Sequence, residues 1–377
     1  MYQMNEDLKK THSGKIEKIG SAQASFGVTD SFSNEKNNYK VDASDFHKAV
    51  DVLINHLEKN INVHKLAAIG HRIVYGMAHS EPAKINEQLL KELKAFSSYD
   101  PDHLPAEVEI IEKLKIKFPQ ILQVACFDTS FHSAMPRLAK IFPLPRDLSV
   151  ENVRRYGFHG LSYSYLMEEL KNKKGAQVAD GKIILAHLGS GASLAAVKNG
   201  KCVDTSMGFT PAGGIMMGTR CGDIDPGVAW YLLQNKKMNA SQFNHLINHE
   251  SGLLGVSGLS ADMHDLLQQE NSNAHAAEAI ALFCYQAKKF IGAFIAVLGG
   301  LDALVFSGGI GENAFAIRRK ICSDLKYTGI ELDEEKNIKS AFHISTDKSR
   351  VKVFVIRTDE ELMIARHTKN MYKSEKQ

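Results

Sequence analysis

The sequence has 377 residues, of which 44% are hydrophobic and 24% are charged, and its formal net charge is +3. This length predicts about two domains, at roughly 150 residues per domain. The positive charges are spread along the chain, which argues against a nucleic-acid-binding protein. The five cysteines form no CxxC pair, which predicts free thiols in a reducing cytoplasm. The most apolar run, 290–306, is interrupted by Gly299, Gly300 and Asp302, so no membrane-spanning segment is predicted.

The first part of the chain predicts strands that alternate with amphipathic helices. After a weak strand signal in 15–28, Ser44 is predicted to cap a helix that begins near residue 46. The apolar stretches 66–70 and 123–127 predict two strands, and Arg72 and Asp128 lie at their ends. Proteins of the α/β class place functional groups at strand ends, which makes both residues candidates for a site. For Asp128, the residues alone favour a cap of the following segment over a chemical role.

The second part predicts a β-meander followed mainly by helices. Strands are predicted at 183–188, 193–197 and 202–205, with a glycine loop at 189–191 and an Asn-Gly hairpin turn at 199–200. A long helix is predicted at 276–298. A strand at 303–307 leads into the glycines of 308–311, and a helix follows them. The last strand is predicted at 351–356, and Glu360 lies in the first turn of the last helix.

The segment 203–226 predicts a long functional loop, because five glycines interrupt any helical or strand pattern. Its one cation is Arg220, and Asp223 and Asp225 follow it, so we expect these carboxylates to orient the guanidinium. A fixed planar cation suits recognition of a carboxylate or a phosphate. A surface salt bridge is the alternative interpretation.

Two patterns indicate other functions. Gly309, Gly311 and Ala314 match GxGxxA between a strand and a helix, which leaves a dinucleotide oxidoreductase open. His245 and His249 have the spacing of a zinc pair, but no Glu lies between them, which favours a solvated helix. The sequence contains neither GxxxxGK[ST] nor the protein-kinase motifs, so both of those classes are excluded. Two glycine loops accompanied by Arg72, Asp128, His159 and Arg220 indicate a site for a polyphosphate.

The sequence resembles the acetate kinase family, which belongs to the superfamily that also contains sugar kinases and actin. The resemblance runs from residue 2 to residue 366 and rests on several motifs in the same order. They are GHRIV at 70–74, CFDTSFH at 126–132, RRYGFHG at 154–160, HLGSGAS at 187–193, the segment 203–226, FSGGIGEN at 306–313 and TDEEL at 358–362.

The resemblance implies reversible transfer of the γ-phosphoryl group of ATP to a short carboxylate, with Mg²⁺ or Mn²⁺. It implies that Arg72 binds the substrate carboxylate, that Asp128 positions the reacting groups, and that His159 and Arg220 stabilise the transferring phosphoryl group. Val74, Phe158 and Pro211 would form an apolar pocket for the methyl group, and Glu360 would order the metal. The nucleotide would contact three segments: His187, Leu188, Gly189, Ser190 and Gly191; Asp262, Met263 and His264; and Gly309, Ile310, Gly311, Glu312 and Asn313.

The same resemblance implies an α/β fold of two actin-like, ribonuclease H-like domains, each a mixed sheet flanked by helices, with a nucleotide cleft between them. The first domain is predicted at 1–128 with 362–377, and the second at 129–361. A homodimer in the cytoplasm that uses neither nucleic acid nor membrane is expected.

The beginning of the sequence departs from the family pattern. Family members start with a strand, a serine-rich phosphate loop and a lysine, whereas this sequence starts at what resembles their second strand, Met1 to Gln3. We therefore expect that the given start is downstream of the true one, or that activity is impaired. Propionate kinase and a non-catalytic nucleotide-binding protein are the remaining alternatives.

Overall fold

The computed structural model describes residues 1–60, 65–97, 99–150 and 152–377. Within them the strands, in chain order, are β1 (Tyr2–Gln3), β2 (Lys9–Lys10), β3 (His12–Glu17), β4 (Ser25–Asp30), β5 (Lys36–Lys40), β6 (Ala68–Ile73), β7 (Ala83–Lys84), β8 (Leu122–Phe127), β9 (Lys182–Leu188), β10 (Ala192–Lys198), β11 (Lys201–Thr205), β12 (Ala303–Ser307) and β13 (Lys352–Val355).

The helices in the same residues are α1 (Phe46–Asn60), α2 (Glu87–Ala95), α3 (Leu104–Lys117), α4 (Arg137–Lys140), α5 (Arg146–Val150), α6 (Gly160–Lys174), α7 (Ala176–Ala179), α8 (Pro226–Gln234), α9 (Ala240–His249), α10 (Gly252–Ser257), α11 (Met263–Gln269), α12 (Ala274–Leu298), α13 (Gly308–Asn313), α14 (Phe315–Cys322), α15 (Glu334–Ile338) and α16 (Glu360–Ser374).

The chain divides into two compact units. The first contains Met1–Ser130 together with Glu360–Gln377, and the second contains Phe131–Asp359. The last helix therefore returns to the first unit, where α16 contacts β6 and β8. The boundaries predicted from the sequence were residues 128 and 361.

The first unit contains small sheets with helices packed on them. β6 and β8 are parallel, and β7 is antiparallel to β8, while β3, β4 and β5 form a separate antiparallel sheet. An apolar cluster joins Val50 and Ile54 of α1 to Leu114 of α3, and Ile69 of β6 packs against it. This packing fixes β6, the strand that contains Arg72.

The second unit is built on one mixed sheet with the strand order β11-β10-β9-β12-β13. β9 pairs antiparallel with β10 and parallel with β12. Leu166 and Leu170 of α6 pack against Leu185 and Val197 on one face of the sheet. Helix α12 contacts β9 and β10, and since alternate residues of both strands are also buried, it covers the opposite face. Every residue of the sheet centre is therefore shielded from water.

Helix α12 is long and apolar enough to cross a membrane by length and composition alone. In the structure it contacts α10, α11, α14 and the sheet of the second unit, and Phe283, Ile291 and Phe294 are among its buried residues. These contacts are those of a core helix in a globular domain.

Three local predictions were wrong. Asp45, not Ser44, caps α1, because its Oδ1 accepts the Lys48 N–H at 2.8 Å. The strand predicted at 66–70 runs over Ala68–Ile73, so Arg72 lies inside it rather than after it. The glycine segment that was predicted to be a loop before a helix is itself the helix Gly308–Asn313.

Replacement of Gly70 by Ala tests the contact between β6 and α16. A Cβ at this position would overlap Thr368 Oγ1 and lie 2.5 Å from Ile364 Cγ2. We expect Gly70→Ala to lower the free energy of unfolding by about 1–3 kcal/mol, measured by urea denaturation, because overpacking forces neighbouring atoms apart. Gly292→Ala is the matched control, since its Cβ would meet open space in helix α12. Its expected effect is a gain of about 0.5–1 kcal/mol. Equal effects of the two substitutions would contradict this packing.

Candidate active site

Two parallel strands of the first unit bring Arg72 and Asp128 together. Arg72 pairs with Cys126 in the β6–β8 register, and the Asp128 N–H donates to the Ile73 carbonyl at 2.9 Å. The Arg72 guanidinium donates to Asp128 Oδ2 at 2.5 Å. Asp128 is fully buried, whereas the Arg72 side chain is 42% exposed. The carboxylate of Asp128 raises the pKa of Arg72 and fixes a cation that an anionic ligand can still reach.

Glu360 and Val74 complete this part of the site. Glu360, the first residue of α16, places its Oε2 3.7 Å from Arg72 Nε. Burial raises the pKa of Glu360, and the charge of Arg72 opposes that rise. Val74 follows β6, is 3% exposed, and donates its N–H to the Glu107 carboxylate at 3.2 Å. The first unit thus contributes a held guanidinium, two carboxylates around it and an apolar side chain beside them.

In the second unit the β9–β10 loop lies against His159 and Arg220. The Gly189 N–H donates to the Gly191 carbonyl at 3.0 Å, which closes the turn. A Cβ on Gly191 would lie 3.2 Å from His159 Nε2 and 3.8 Å from Arg220 Nη1. Because Gly191 has no side chain, the histidine and the arginine can both approach the backbone of the loop.

The conformation of His159 is set by the residues around it. Its φ is +58°, a left-handed conformation immediately before helix α6. Its Nδ1 shares a hydrogen bond with Ser193 Oγ at 2.9 Å, and its ring stacks on His187 with 4.4 Å between centroids. His187 Nδ1 in turn shares a hydrogen bond with Ser162 Oγ at 2.8 Å. The left-handed backbone and these contacts fix the orientation of the His159 ring.

Arg220 is oriented by a backbone carbonyl. Its Nη1 donates to the Pro211 carbonyl at 3.3 Å. The carboxylates of Asp223 and Asp225, which the sequence predicted to orient Arg220, also accept backbone N–H groups of the loop. Asp223 accepts the Gly214 N–H at 2.7 Å, and Asp225 caps helix α8.

The apolar residues predicted to hold the methyl group lie in different parts of the chain. Val74 belongs to the first unit, while Phe158 and Pro211 belong to the second. Phe158 is buried, and its carbonyl accepts a hydrogen bond from His132 Nε2 at 2.9 Å. This bond fixes the segment that precedes His159.

A pocket of about 640 Å³ in the second unit collects most of the residues predicted to contact the nucleotide. Of the predicted residues, the following eight line it: Gly189, Ser190, Asp262, Met263, His264, Gly309, Ile310 and Asn313. The α13 backbone and small side chains leave room for a flat, partly apolar group, as a nucleobase is. Leu267 and Phe315 also line the pocket and were not predicted, because they lie outside any glycine-rich motif.

Five other predicted nucleotide contacts do not line this pocket. Among the described residues, the lining of this pocket does not include His187, Leu188, Gly191, Gly311 or Glu312. Leu188 is completely buried. The Glu312 carboxylate accepts the Gly308 N–H at 3.0 Å and the Thr358 N–H at 3.1 Å. Glu312 therefore supports the start of helix α13, a role that the glycine motif did not suggest.

Comparisons with known proteins identify the family. The model of the acetokinase family matches residues 1–366. The acetate kinase of Rhodopseudomonas palustris strain TIE-1 is 46% identical over 332 residues, which cover 87% of this chain and 83% of that protein. The chain belongs to the acetokinase family.

Solved structures of acetokinases agree with this fold. The acetate kinase of Porphyromonas gingivalis has a TM-score of 0.87 at 36% identity, covering 97% of this chain and 94% of that chain. A propionate kinase from Francisella tularensis has a TM-score of 0.90 at 36% identity, covering 96% of this chain and 94% of that one. The predicted α/β class with two actin-like domains is confirmed.

Membership of the acetokinase family excludes the dinucleotide interpretation. The dinucleotide interpretation of GxGxxA was wrong, because those glycines belong to helix α13 of an acetokinase. His245 lies 3.4 Å from Glu250, and the described residues contain no cluster of three or more side chains that could ligate a metal. The zinc interpretation of His245 and His249 therefore has no support.

The Glu360 carboxylate has the chemistry that a magnesium ion requires. Mg²⁺ commonly uses one or two protein carboxylates and takes its other ligands from water and phosphate oxygens. Glu360 is partly buried beside Arg72, and its carboxylate oxygens are hard donors of the kind that Mg²⁺ prefers.

The contacts of Glu312 predict a structural role. Glu312→Ala removes the hydrogen-bond acceptor of two backbone N–H groups, so we expect the free energy of unfolding to fall by about 1–3 kcal/mol in urea denaturation. Asn313→Ala, the next residue of the same helix, loses only one bond to the Gly309 carbonyl and should have a smaller effect. A larger loss of stability for Asn313→Ala would contradict this assignment.

Proposed function

We propose that this protein catalyses reversible transfer of the γ-phosphoryl group of ATP to acetate, forming acetyl phosphate and ADP. The observation that supports it most strongly is the pair of Arg72 and buried Asp128, since a fixed and accessible guanidinium is suited to bind a small carboxylate. The second unit supplies the other requirements, a nucleotide-sized pocket and two side chains suited to phosphoryl oxygens.

In this proposal Arg72 binds the acid and directs one carboxylate oxygen toward the phosphorus. Asp128 keeps the guanidinium in place, so little orientation is lost when substrate binds. Phosphoryl transfer spreads negative charge over three equatorial oxygens, and catalysis therefore depends on positioning and on cations. His159 and Arg220, which approach each other across Gly191, are assigned to that charge. Glu360 and the phosphates would hold magnesium, which would offset part of the negative charge of the nucleotide.

One assay distinguishes an acetate kinase from a nucleotide-binding protein without catalytic activity. Purified protein is mixed with acetate, ATP and Mg²⁺, and acetyl phosphate is trapped with hydroxylamine as the hydroxamate. We expect hydroxamate in proportion to the ADP released. Binding of ATP, measured by calorimetry, without any hydroxamate would favour a nucleotide-binding protein and overturn the proposed function.

Replacement of Arg220 tests the assigned role in the transition state. We expect Arg220→Ala to lower kcat by about 10²–10³-fold, with a much smaller rise in KM, because the interaction strengthens as charge develops on the phosphoryl group. Arg319→Ala is the control, as Arg319 is an exposed residue of α14. A rise in KM at unchanged kcat would contradict this role, because it would show that Arg220 stabilises the ground state and the transition state equally.

Propionate is the second candidate acid, because the solved propionate kinase is a close structural neighbour. We assign acetate as the preferred acid, since the branched side chain of Val74 leaves less space than Ala would. Val74→Ala should raise the ratio of kcat/KM for propionate to that for acetate by at least about tenfold, because one methylene in such a pocket contributes about 1–3 kcal/mol. An unchanged ratio would remove Val74 from the pocket.

A homodimer and a cytoplasmic location are further parts of the proposal. The five cysteines are free thiols, which supports a reducing compartment. On helix α8 the exposed fraction is 67% for Trp230 and 48% for Tyr231. Large exposed aromatic side chains support a contact with a second copy of the chain. Sedimentation velocity of the wild-type protein and of Trp230→Glu would test this contact.

A further inference from the structure

Glu107, in the first turn of helix α3, contacts the backbone next to the Arg72 site. Both of its carboxylate oxygens lie 3.2 Å from the backbone nitrogen of Val74. Val74 is two residues beyond Arg72, and it continues the strand that presents the guanidinium. Glu107 therefore controls the position of the chain immediately after Arg72. The amphipathic pattern of α3 did not predict that Glu107 contacts Val74.

The charges around Glu107 come from three elements. Arg72 of β6 attracts its ionised form, while Asp128 after β8 and Asp100 before α3 oppose it. Asp100 is itself 4% exposed and shares a hydrogen bond with His103 Nδ1 at 2.8 Å. The Arg72 guanidinium already faces the carboxylates of Asp128 and Glu360. An ionised Glu107 thus adds a third negative charge near a site that must accept an anion.

We propose that Glu107 is a positioning residue and a determinant of substrate affinity, which in its protonated form supports Val74 and permits a carboxylate to bind Arg72. In its ionised form it opposes that binding by charge repulsion. The inference rests on the proposed function, because it assumes that the ligand of Arg72 is a carboxylate.

The ionisation falls in an accessible pH range. Burial raises the pKa of Glu107 to about 8, so the residue is mainly neutral at pH 7 and mainly ionised at pH 9. Burial lowers the pKa values of His71 and His132 to about 4, and it raises that of Cys126 to about 12, so these groups do not titrate in this window. Acetate is fully ionised throughout. A change in acetate affinity between pH 7 and 9 can therefore be assigned by substitution.

The test measures KM for acetate between pH 7 and 9 at saturating ATP and Mg²⁺. The protonated fraction of Glu107 falls from about nine-tenths to about one-tenth, so KM for acetate should rise about tenfold in the wild-type protein. Glu107→Gln keeps an acceptor for the Val74 N–H without the charge, and its KM for acetate should stay within about twofold. KM for ATP should follow the same course in both proteins.

Glu109→Gln is the matched control, because Glu109 lies on the same helix and contacts His47 and Lys113 instead. It should retain the tenfold rise. A wild-type KM for acetate that is constant from pH 7 to 9, or a rise that persists in Glu107→Gln, would overturn the inference while acetyl phosphate still forms. Absence of acetyl phosphate at every pH would instead overturn the proposed function.

Discussion

The candidate site depends on one ion pair, that between Arg72 and the fully buried Asp128. A buried carboxylate is costly unless a cation and hydrogen bonds compensate it, and Arg72 supplies both. In return, Asp128 fixes an otherwise flexible side chain while leaving part of the guanidinium exposed. The parallel pairing of β6 and β8 places the two residues at the same sheet end. The strand pairing therefore forms the ion pair, and the ion pair holds the exposed part of the guanidinium in place.

The second unit has a different requirement, because the ligand proposed for it is a polyphosphate. Glycines, which have no side chain, contribute to this site as much as the polar residues do. Gly191 lets His159 and Arg220 approach the β9–β10 turn, and Gly309 leaves open space beside helix α13. Ser193 and His187 then hold the His159 ring from two sides. His187 belongs to β9 and Ser193 to β10. The orientation of the His159 ring therefore depends on the buried central sheet of the second unit.

Sequence reasoning predicted the features that local chemistry determines. Strand ends at Asp128, the hairpin at Asn199 and the long helix ending at Gly299 follow from burial patterns and turn residues. Contacts between distant segments were not accessible in this way. Glu107 contacts Val74 from 33 residues away, and Glu312 contacts Thr358 from 46 residues away. The Arg220 guanidinium also donates to the Pro211 carbonyl, and no local pattern in the sequence indicated that contact.

The central claim is that Arg72 binds the acid while Arg220 and His159 contact the transferring phosphoryl group. A crystal structure with acetate, ADP, Mg²⁺ and aluminium fluoride, a mimic of the phosphoryl group in flight, tests it most directly. The account predicts the acetate carboxylate on the Arg72 guanidinium, and the fluoride within hydrogen-bond distance of Arg220 and His159. Acetate bound away from Arg72, or fluoride distant from both other side chains, would contradict it.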